Sequence, residues 1–111
     1  MKLEIKENMY YRTRGGAIGK IVSLEDLNER EYRLNGFYIN KNSIKNASYN
    51  IIDILEVGDY VNGHEVKMKQ SGFNIIDIGE DENYVWLYEK NIKTIVTKEQ
   101  FEQISYRMVG K

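Results

Sequence analysis

Residues 31–40 read EYRLNGFYIN, and the Asn35-Gly36 pair at their centre decides how this part of the chain folds. A two-residue hairpin turn needs consecutive residues with positive φ, and Asn followed by Gly adopts that conformation readily. Glu31–Leu34 and Phe37–Asn40, on either side, carry the aromatic and β-branched residues that favour strands. The stretch therefore predicts a β-hairpin.

Hairpin signals recur on both sides of this stretch. Asn62-Gly63 predicts a hairpin between residues 59–61 and 64–69, and Gly15-Gly16 predicts one between residues 9–13 and 18–23. The spacing around Gly15 does not fit a phosphate-binding loop, because Ile21 stands where a magnesium-binding hydroxyl residue should be. The glycines are therefore interpreted as a turn.

The remaining stretches carry weaker signals. Residues 84–88 (YVWLY) are the most strand-like, and Trp86 at their centre is expected in the core. Residues 24–30 suggest a loop or one helical turn, residues 40–50 a connection, and residues 51–55 a short helical turn. Thr97 and Gln100 form a capping box for a short helix, after which residues 104–109 predict a last strand.

Together these elements predict a mainly β fold, α+β at most. We expect antiparallel hairpins in a small barrel or a sandwich of two β units, with one short helix near the C-terminus. A chain of 111 residues fits one compact domain, 1–111. Residues 41–45 (KNSIK) and 90–93 (KNIK) also align with one gap, which suggests a weak internal duplication of 1–49 and 50–111.

Charge is divided unevenly along the chain. Residues 1–49 hold nine Lys/Arg and six Asp/Glu, a formal charge of +3, whereas residues 50–111 hold seven and eleven, a charge of −4. There is no Cys and only one histidine, His64, so no disulfide framework, thiolate nucleophile or ordinary zinc site is available. No apolar run approaches the ~20 residues that span a bilayer. We therefore expect a cytoplasmic protein that is not an enzyme, needs no cofactor or metal, and has no membrane partner.

The first half supplies a candidate binding surface, which we call the basic–aromatic set. Its members come from strands and should present tyrosine rings and cationic groups together, as single-stranded nucleic acid or an acidic protein patch requires. An ordinary solvated face is the alternative interpretation. The set is Tyr10, Tyr11, Arg12, Arg14, Lys20, Arg33 and Tyr38.

The second half supplies a candidate acidic set. Its carboxylates cluster near two turns and lack the ligand spacing of a calcium loop. They are interpreted either as solvated turns or as a row of charges that occupies a groove built for a phosphate backbone. The set is Asp53, Glu56, Asp59, Asp77, Glu80, Asp81 and Glu82.

Residues 50–66 (NIIDILEVGDYVNGHEV) and 91–108 (NIKTIVTKEQFEQISYRM), with the opening YYRTRGGAIGKI, resemble small uncharacterised proteins of phages and prophages of Gram-positive bacteria. The opening also resembles the first hairpin of small SH3-like barrels. The resemblance implies an accessory protein that binds and inhibits a host factor, such as a restriction or CRISPR component, and it implies no catalytic residues.

Three functions follow from these observations. The first is a non-enzymatic phage or prophage accessory protein that binds a host protein or ribonucleoprotein, for example as an anti-CRISPR or other anti-defence inhibitor. The second is a nucleic-acid-binding module that uses the basic–aromatic set, and the third is a pocket that sequesters a small nucleotide signal. The opposite charges of the halves would also allow a homodimer in which the basic face of one copy meets the acidic face of another.

Overall fold

The computed structural model of the chain describes residues 4–70, 74–80 and 83–109. Their backbone contacts divide the chain into two compact units, unit 1 (Met1–Ile54) and unit 2 (Leu55–Lys111). The prediction of a mainly β fold with a helix near the C-terminus is confirmed, since the structure is 40% strand and 17% helix, with all strand pairs antiparallel.

Unit 1 contains two three-stranded antiparallel sheets and ends in a short helix. In one sheet the first strand of the unit pairs with both the second and the sixth strand, and the other sheet consists of the third, fourth and fifth strands in order. The elements in chain order are β1 (Tyr10–Thr13), β2 (Ile18–Lys20), β3 (Leu24–Asp26), β4 (Glu31–Leu34), β5 (Phe37–Asn40), a 3₁₀ turn (Lys41–Ser43), β6 (Ile44–Ser48) and α1 (Ile51–Ile54).

The two sheets of unit 1 share one apolar core. Ile44 of the first sheet and Leu34 of the second are buried in the same cluster as Ile5 and Ile21, and half-buried side chains of both sheets pack around them. Burial of a branched aliphatic side chain contributes about 1.5–3 kcal/mol. This shared core holds the two small sheets together.

Unit 2 has the same kind of architecture. Its sheets have the strand orders β8-β7-β12 and β9-β10-β11. The elements are β7 (Tyr60–Val61), β8 (His64–Glu65), β9 (Met68–Gln70), β10 (Ile75–Asp77), β11 (Trp86–Tyr88), a 3₁₀ turn (Glu89–Asn91), β12 (Ile95–Val96) and α2 (Lys98–Val109).

In the residues that the structure describes, the strands, 3₁₀ turn and final helix follow in the same order in the two units. In each, five strands lead to a 3₁₀ turn, a sixth strand that pairs with the first, and a helix. The second and third strands are separated by three residues in unit 1 and two in unit 2, and they pair in different sheets. Each unit therefore has one bent segment that serves both of its sheets.

The backbone entering the first strand is also the same in both units. In unit 1 the Met9 amide donates to Lys6 O and the Ile21 amide donates to Met9 O, while Asn8, with a positive φ of 75°, donates to Ile21 O.

In unit 2, Asp59 donates to Glu56 O and Val66 donates to Asp59 O, while Gly58, with a φ of 100°, donates to Val66 O. Ile21 and Val66 are both fully buried at the bend. The duplication suggested by the sequence stays a prediction about ancestry, but the two units share this detail as well as their topology.

The predicted Asn-Gly hairpins are present in both units. Asn35 and Gly36 join β4 to β5, Asn62 and Gly63 join β7 to β8, and all four residues have positive φ as a two-residue turn of this type requires. The hairpin of β1 and β2 is present as well.

Each turn asparagine also fastens its hairpin to a neighbouring segment. The Asn35 side chain accepts from the amides of Val22 and Ser23 at 2.7 and 3.1 Å and donates to Lys20 O at 2.9 Å. We call this three-bond arrangement the asparagine clamp.

Asn62 makes the same clamp in unit 2. Its side chain accepts from the amides of Lys93 and Thr94 at 2.8 and 3.1 Å and donates to Asn91 O at 2.9 Å. The residues contacted have the same spacing as in unit 1. Asparagine thus supplies both the turn conformation and a tie to the next segment.

Three sequence-based predictions of secondary structure were wrong. Residues 24–30 include β3, and residues 40–50 include the 3₁₀ turn and β6 rather than a plain connection. Residues 104–109 continue α2, which the predicted capping box begins: the Thr97 amide donates to the Gln100 side chain at 3.1 Å and the Gln100 amide to Thr97 Oγ1 at 3.4 Å. Residues 98–109 contain no glycine or proline, so no helix-ending residue lies within α2.

We predict that Asn35→Ala and Asn62→Ala each lower the free energy of unfolding by about 1–3 kcal/mol, because each removes three hydrogen bonds and places alanine at positive φ. Asn→Asp at the same positions should cost less, since the carboxylate keeps both acceptor bonds and tolerates the turn. Chemical denaturation followed by circular dichroism would measure this. Equal losses for Ala and Asp would contradict a role for the acceptor oxygen.

Candidate functional site

The basic–aromatic set does not form one surface. Tyr10 lies opposite Lys20 in the first sheet of unit 1, with the Lys20 ammonium 5.7 Å from the ring centre. Arg33 and Tyr38 form a similar pair in the second sheet, also at 5.7 Å. Four members of the set therefore form two cation–π pairs, and these pairs lie on different sheets.

Arg12 was expected on an exposed face, and the structure corrects this. Its side chain is fully buried, and Nη1 donates to the carbonyl oxygen of Ile54, the last residue of α1, at 3.0 Å. A cation at the C-terminal end of a helix is favourably placed. The strand pattern could not reveal that α1 packs against β1 and β6 and covers this face.

Tyr11 also has a structural position. Its ring packs against the core of unit 1 and lies over Gly19, where a Cβ would come within 2.7 Å of the hydroxyl oxygen. Arg14 is exposed, but Nε donates to Asn42 O at 2.7 Å and its amide donates to Ser43 O at 2.8 Å. Both residues therefore contribute to holding the first hairpin in place.

We predict that Arg12→Ala lowers the free energy of unfolding by about 3 kcal/mol or more, because it removes a buried charge-assisted bond and the packing of a long side chain. The matched change Arg14→Ala should cost less than about 1 kcal/mol, since that side chain is exposed. Thermal and urea unfolding of the two variants would compare them. Equal stability of both variants would contradict the structural role of Arg12.

The acidic set is likewise divided between buried and exposed positions. Asp59, expected at a surface, is fully buried: Oδ2 accepts from the Glu56 amide at 2.7 Å and Oδ1 from the Lys98 amide at 2.9 Å. A carboxylate at the start of a helix satisfies amides that have no partner within it. Asp59 therefore ties the turn before β7 to the beginning of α2.

Asp77 was also expected at the surface, and the structure corrects this as well. It is buried, and Oδ1 accepts from the amides of Gly79 and Val85, both at 2.9 Å, so it organises the loop between β10 and β11. Asp53 accepts from Ser48 Oγ at 2.7 Å beside α1.

The remaining acidic positions differ from these. Glu56 forms an ion pair with Lys98 at 2.8 Å, and Glu80 is exposed. Asp81 and Glu82 lie outside the described residues. Among the described positions, the set is therefore mostly structural.

The pKa of Lys98 is raised above its ordinary value of 10.5. The largest cause is its hydrogen bond to Glu56; burial opposes the shift, and the charges of Glu56, Glu99 and Asp59 add to it. A raised pKa means that protonation stabilises the folded state. This stabilisation is complete below pH 10.5 and disappears as the pH rises through the folded-state value.

We predict that Lys98→Met lowers the melting temperature slightly at pH 7–9, because the ion pair is partly exposed to solvent, and that the difference from wild type shrinks above about pH 10.5. Calorimetry across this pH range would measure the difference, and Lys90→Met provides an exposed control. A difference that stayed constant with pH would contradict the ion-pair contribution.

An exposed aromatic row is the feature that the sequence interpretation missed. Tyr84, Trp86 and Tyr88 are 62%, 38% and 52% exposed, and the rings of Tyr84 and Trp86 stack with centroids 5.9 Å apart and planes inclined by 5°. We call these three residues the aromatic row. Trp86, expected in the core, is therefore at the surface.

Trp86 and Tyr88 of the row lie on the edge strand β11, and Tyr84 lies in the segment just before it. β11 lies at one side of the sheet β9-β10-β11, with Tyr88 opposite Ile75 and Trp86 opposite Asp77. Leu87 points to the other face, opposite the fully buried Ile76. The period-2 pattern of residues 84–88 located the strand, but both of its faces are apolar, so the pattern could not say which face is covered.

Unit 1 contains a groove of about 570 Å³. Its lining includes three carboxylates and two cations, and both cations already have partners: Lys41 Nζ lies 2.7 Å from the Asp26 carboxylate and 4.6 Å from the centre of the Tyr32 ring, and Arg14 donates to Asn42 O. The charged lining residues are Glu4, Arg14, Asp26, Glu29 and Lys41. This mixture offers little to an anionic nucleotide.

Within residues 4–70, 74–80 and 83–109, no three His, Asp or Glu side chains are grouped to hold a metal ion. In the same part of the chain no helix has the length and apolar character needed to cross a membrane.

Comparison with known proteins adds no further constraint: no protein-family model, curated protein or solved structure matches this chain. The candidate site therefore rests on geometry, and the aromatic row is the best-defined exposed feature.

Proposed function

We propose that the protein is a non-enzymatic binding module that recognises another protein through the aromatic row of unit 2. The observation that carries the proposal is the exposure of three aromatic rings, two on the edge strand β11 and one just before it. Exposed Trp and Tyr side chains are the residues that most often dominate the energy of protein interfaces. An edge strand also offers backbone groups to a partner strand.

The charge of unit 2 favours a basic partner. Residues 55–111 hold seven Lys/Arg and ten Asp/Glu, a formal charge of −3, and the exposed Glu80 lies in the loop that leads to β11. Opposite charge accelerates encounter and orients the partner. A protein or ribonucleoprotein surface built to hold a phosphate backbone has the required charge.

The resemblance to phage and prophage proteins extends this proposal. In that setting the basic partner is a host defence factor, and the protein inhibits it by occupying the surface that would bind nucleic acid. Because the opening hairpin resembles that of SH3-like barrels, the same proposal describes each unit as a small barrel. The two three-stranded sheets around one core in unit 1 support this.

The two alternative functions receive less support. A nucleic-acid module based on the basic–aromatic set loses Arg12 to the interior, and its remaining cation–π pairs lie on separate sheets. A nucleotide pocket would have to use the unit 1 groove, whose cations are already engaged.

The aromatic row can be tested by affinity capture from host lysate. We expect the wild-type protein to retain a basic partner, and Trp86→Ala with Tyr88→Ala to weaken binding about thirty-fold or more, which corresponds to about 2 kcal/mol. Tyr49→Ala is the matched control, because Tyr49 is an exposed aromatic residue in unit 1. Capture of the same partner by the double variant would contradict the proposal.

The proposed inhibition has a separate test in cells. Expression of the wild-type protein in a strain with an active defence system should raise the plating efficiency of a targeted phage, and the Trp86→Ala, Tyr88→Ala variant should not. If the wild-type protein binds a partner but leaves plating unchanged, the binding module stands and the anti-defence role is rejected.

A further inference from the structure

One edge strand of unit 1, β5, has exposed aromatic residues and no charged residue. β5 lies at one side of the sheet β3-β4-β5, and its residues Phe37 and Tyr38 are 77% and 68% exposed. Natural edge strands are usually protected by charged residues, proline or bulges that discourage pairing with another chain. β5 reads FYIN and carries none of these.

Two cationic side chains beside β5 form ion pairs within unit 1, and the exposed Glu31 lies on β4 opposite Asn40. Arg33, opposite Tyr38, lies 3.5 Å from the Glu25 carboxylate, which forms a column Glu25, Arg33, Tyr38 across the sheet. Lys41, which follows β5, is paired with Asp26 at 2.7 Å. A surface that approaches this edge therefore first meets the aromatic rings and backbone groups of β5, which itself carries no charged side chain.

We propose that β5 pairs antiparallel with β5 of a second copy of this chain and forms a two-fold symmetric dimer. An isologous contact requires only that the surface complement itself, and an uncharged seam with internally paired charges brings no like charges together. β11 differs, because the acidic character of unit 2 would set two copies against each other. The charge distribution thus directs β5 to a second copy and β11 to a foreign, basic partner.

The pleat of the sheet fixes the register of this pairing. Opposite residues in an antiparallel pair point to the same face, so the outer faces of two copies align only if the two-fold axis passes through a residue. An axis through Ile39 would place Phe37 opposite Lys41, which is held by Asp26. An axis through Phe37 or Asn40 would place a turn residue, Gly36 or Asn42, opposite Tyr38. We therefore place the axis at Tyr38, where the two Tyr38 rings meet at the centre of the seam.

The first test is the oligomeric state, measured by sedimentation equilibrium at several protein concentrations. We expect wild type and Trp86→Lys to be dimeric and Tyr38→Lys to be monomeric, with all three folded by circular dichroism. The wild-type dimer should persist from about 0.1 to 1 M salt, since its seam is uncharged. A monomeric wild type, a dimeric Tyr38→Lys, or dissociation of the wild type by salt would each overturn the proposal.

The second test fixes the register without disturbing the fold. The chain has no cysteine, so Tyr38→Cys introduces a single thiol. Directly opposite Cβ atoms lie about 4.5–5.5 Å apart, close to disulfide distance. Mild oxidation should cross-link Tyr38→Cys at least tenfold faster than Trp86→Cys. Equal rates would overturn the pairing, and neither result depends on whether the aromatic row binds a partner.

Discussion

Each unit depends on one buried residue at the bend of a strand that serves two sheets. Ile21 in unit 1 and Val66 in unit 2 exchange backbone hydrogen bonds with the segment that enters the first strand, and both are fully buried. Beyond this residue the chain leaves the first sheet and pairs in the second. A polar residue at this position would therefore disturb both the buried interior and the junction between the two sheets.

The sequence was sufficient where a local conformation has one good chemical solution. Asn35-Gly36 and Asn62-Gly63 predicted their hairpins because few residue pairs accept two positive φ angles, and Thr97 with Gln100 predicted the start of α2 for a similar reason. It was insufficient where burial depends on distant packing. Arg12 lies two residues before the exposed Arg14 but is covered by α1, and Trp86 lies in an apolar strand whose uncovered face is the aromatic one.

The two units show how one arrangement of strands can present different surfaces. In unit 1 the sheet β3-β4-β5 carries the column Glu25, Arg33 and Tyr38. In unit 2 the corresponding sheet, β9-β10-β11, carries Met68 and Trp86 on either side of Asp77. The bends and the first-to-last strand pairing remain the same. Function is therefore expected to differ between the units at their outer faces while the supporting backbone is shared.

The pairing of the first strand with the last has a consequence during synthesis. β1 cannot complete its sheet until β6 has been made, and β7 must wait for β12. Local hairpins form early, while closure of each unit requires contacts that are distant in sequence and slower to make. Since β6 ends at Ser48, unit 1 has all of its strands before those of unit 2 are translated. The order of the strands thus becomes an order in time, with the β5 edge completed before the β11 edge exists.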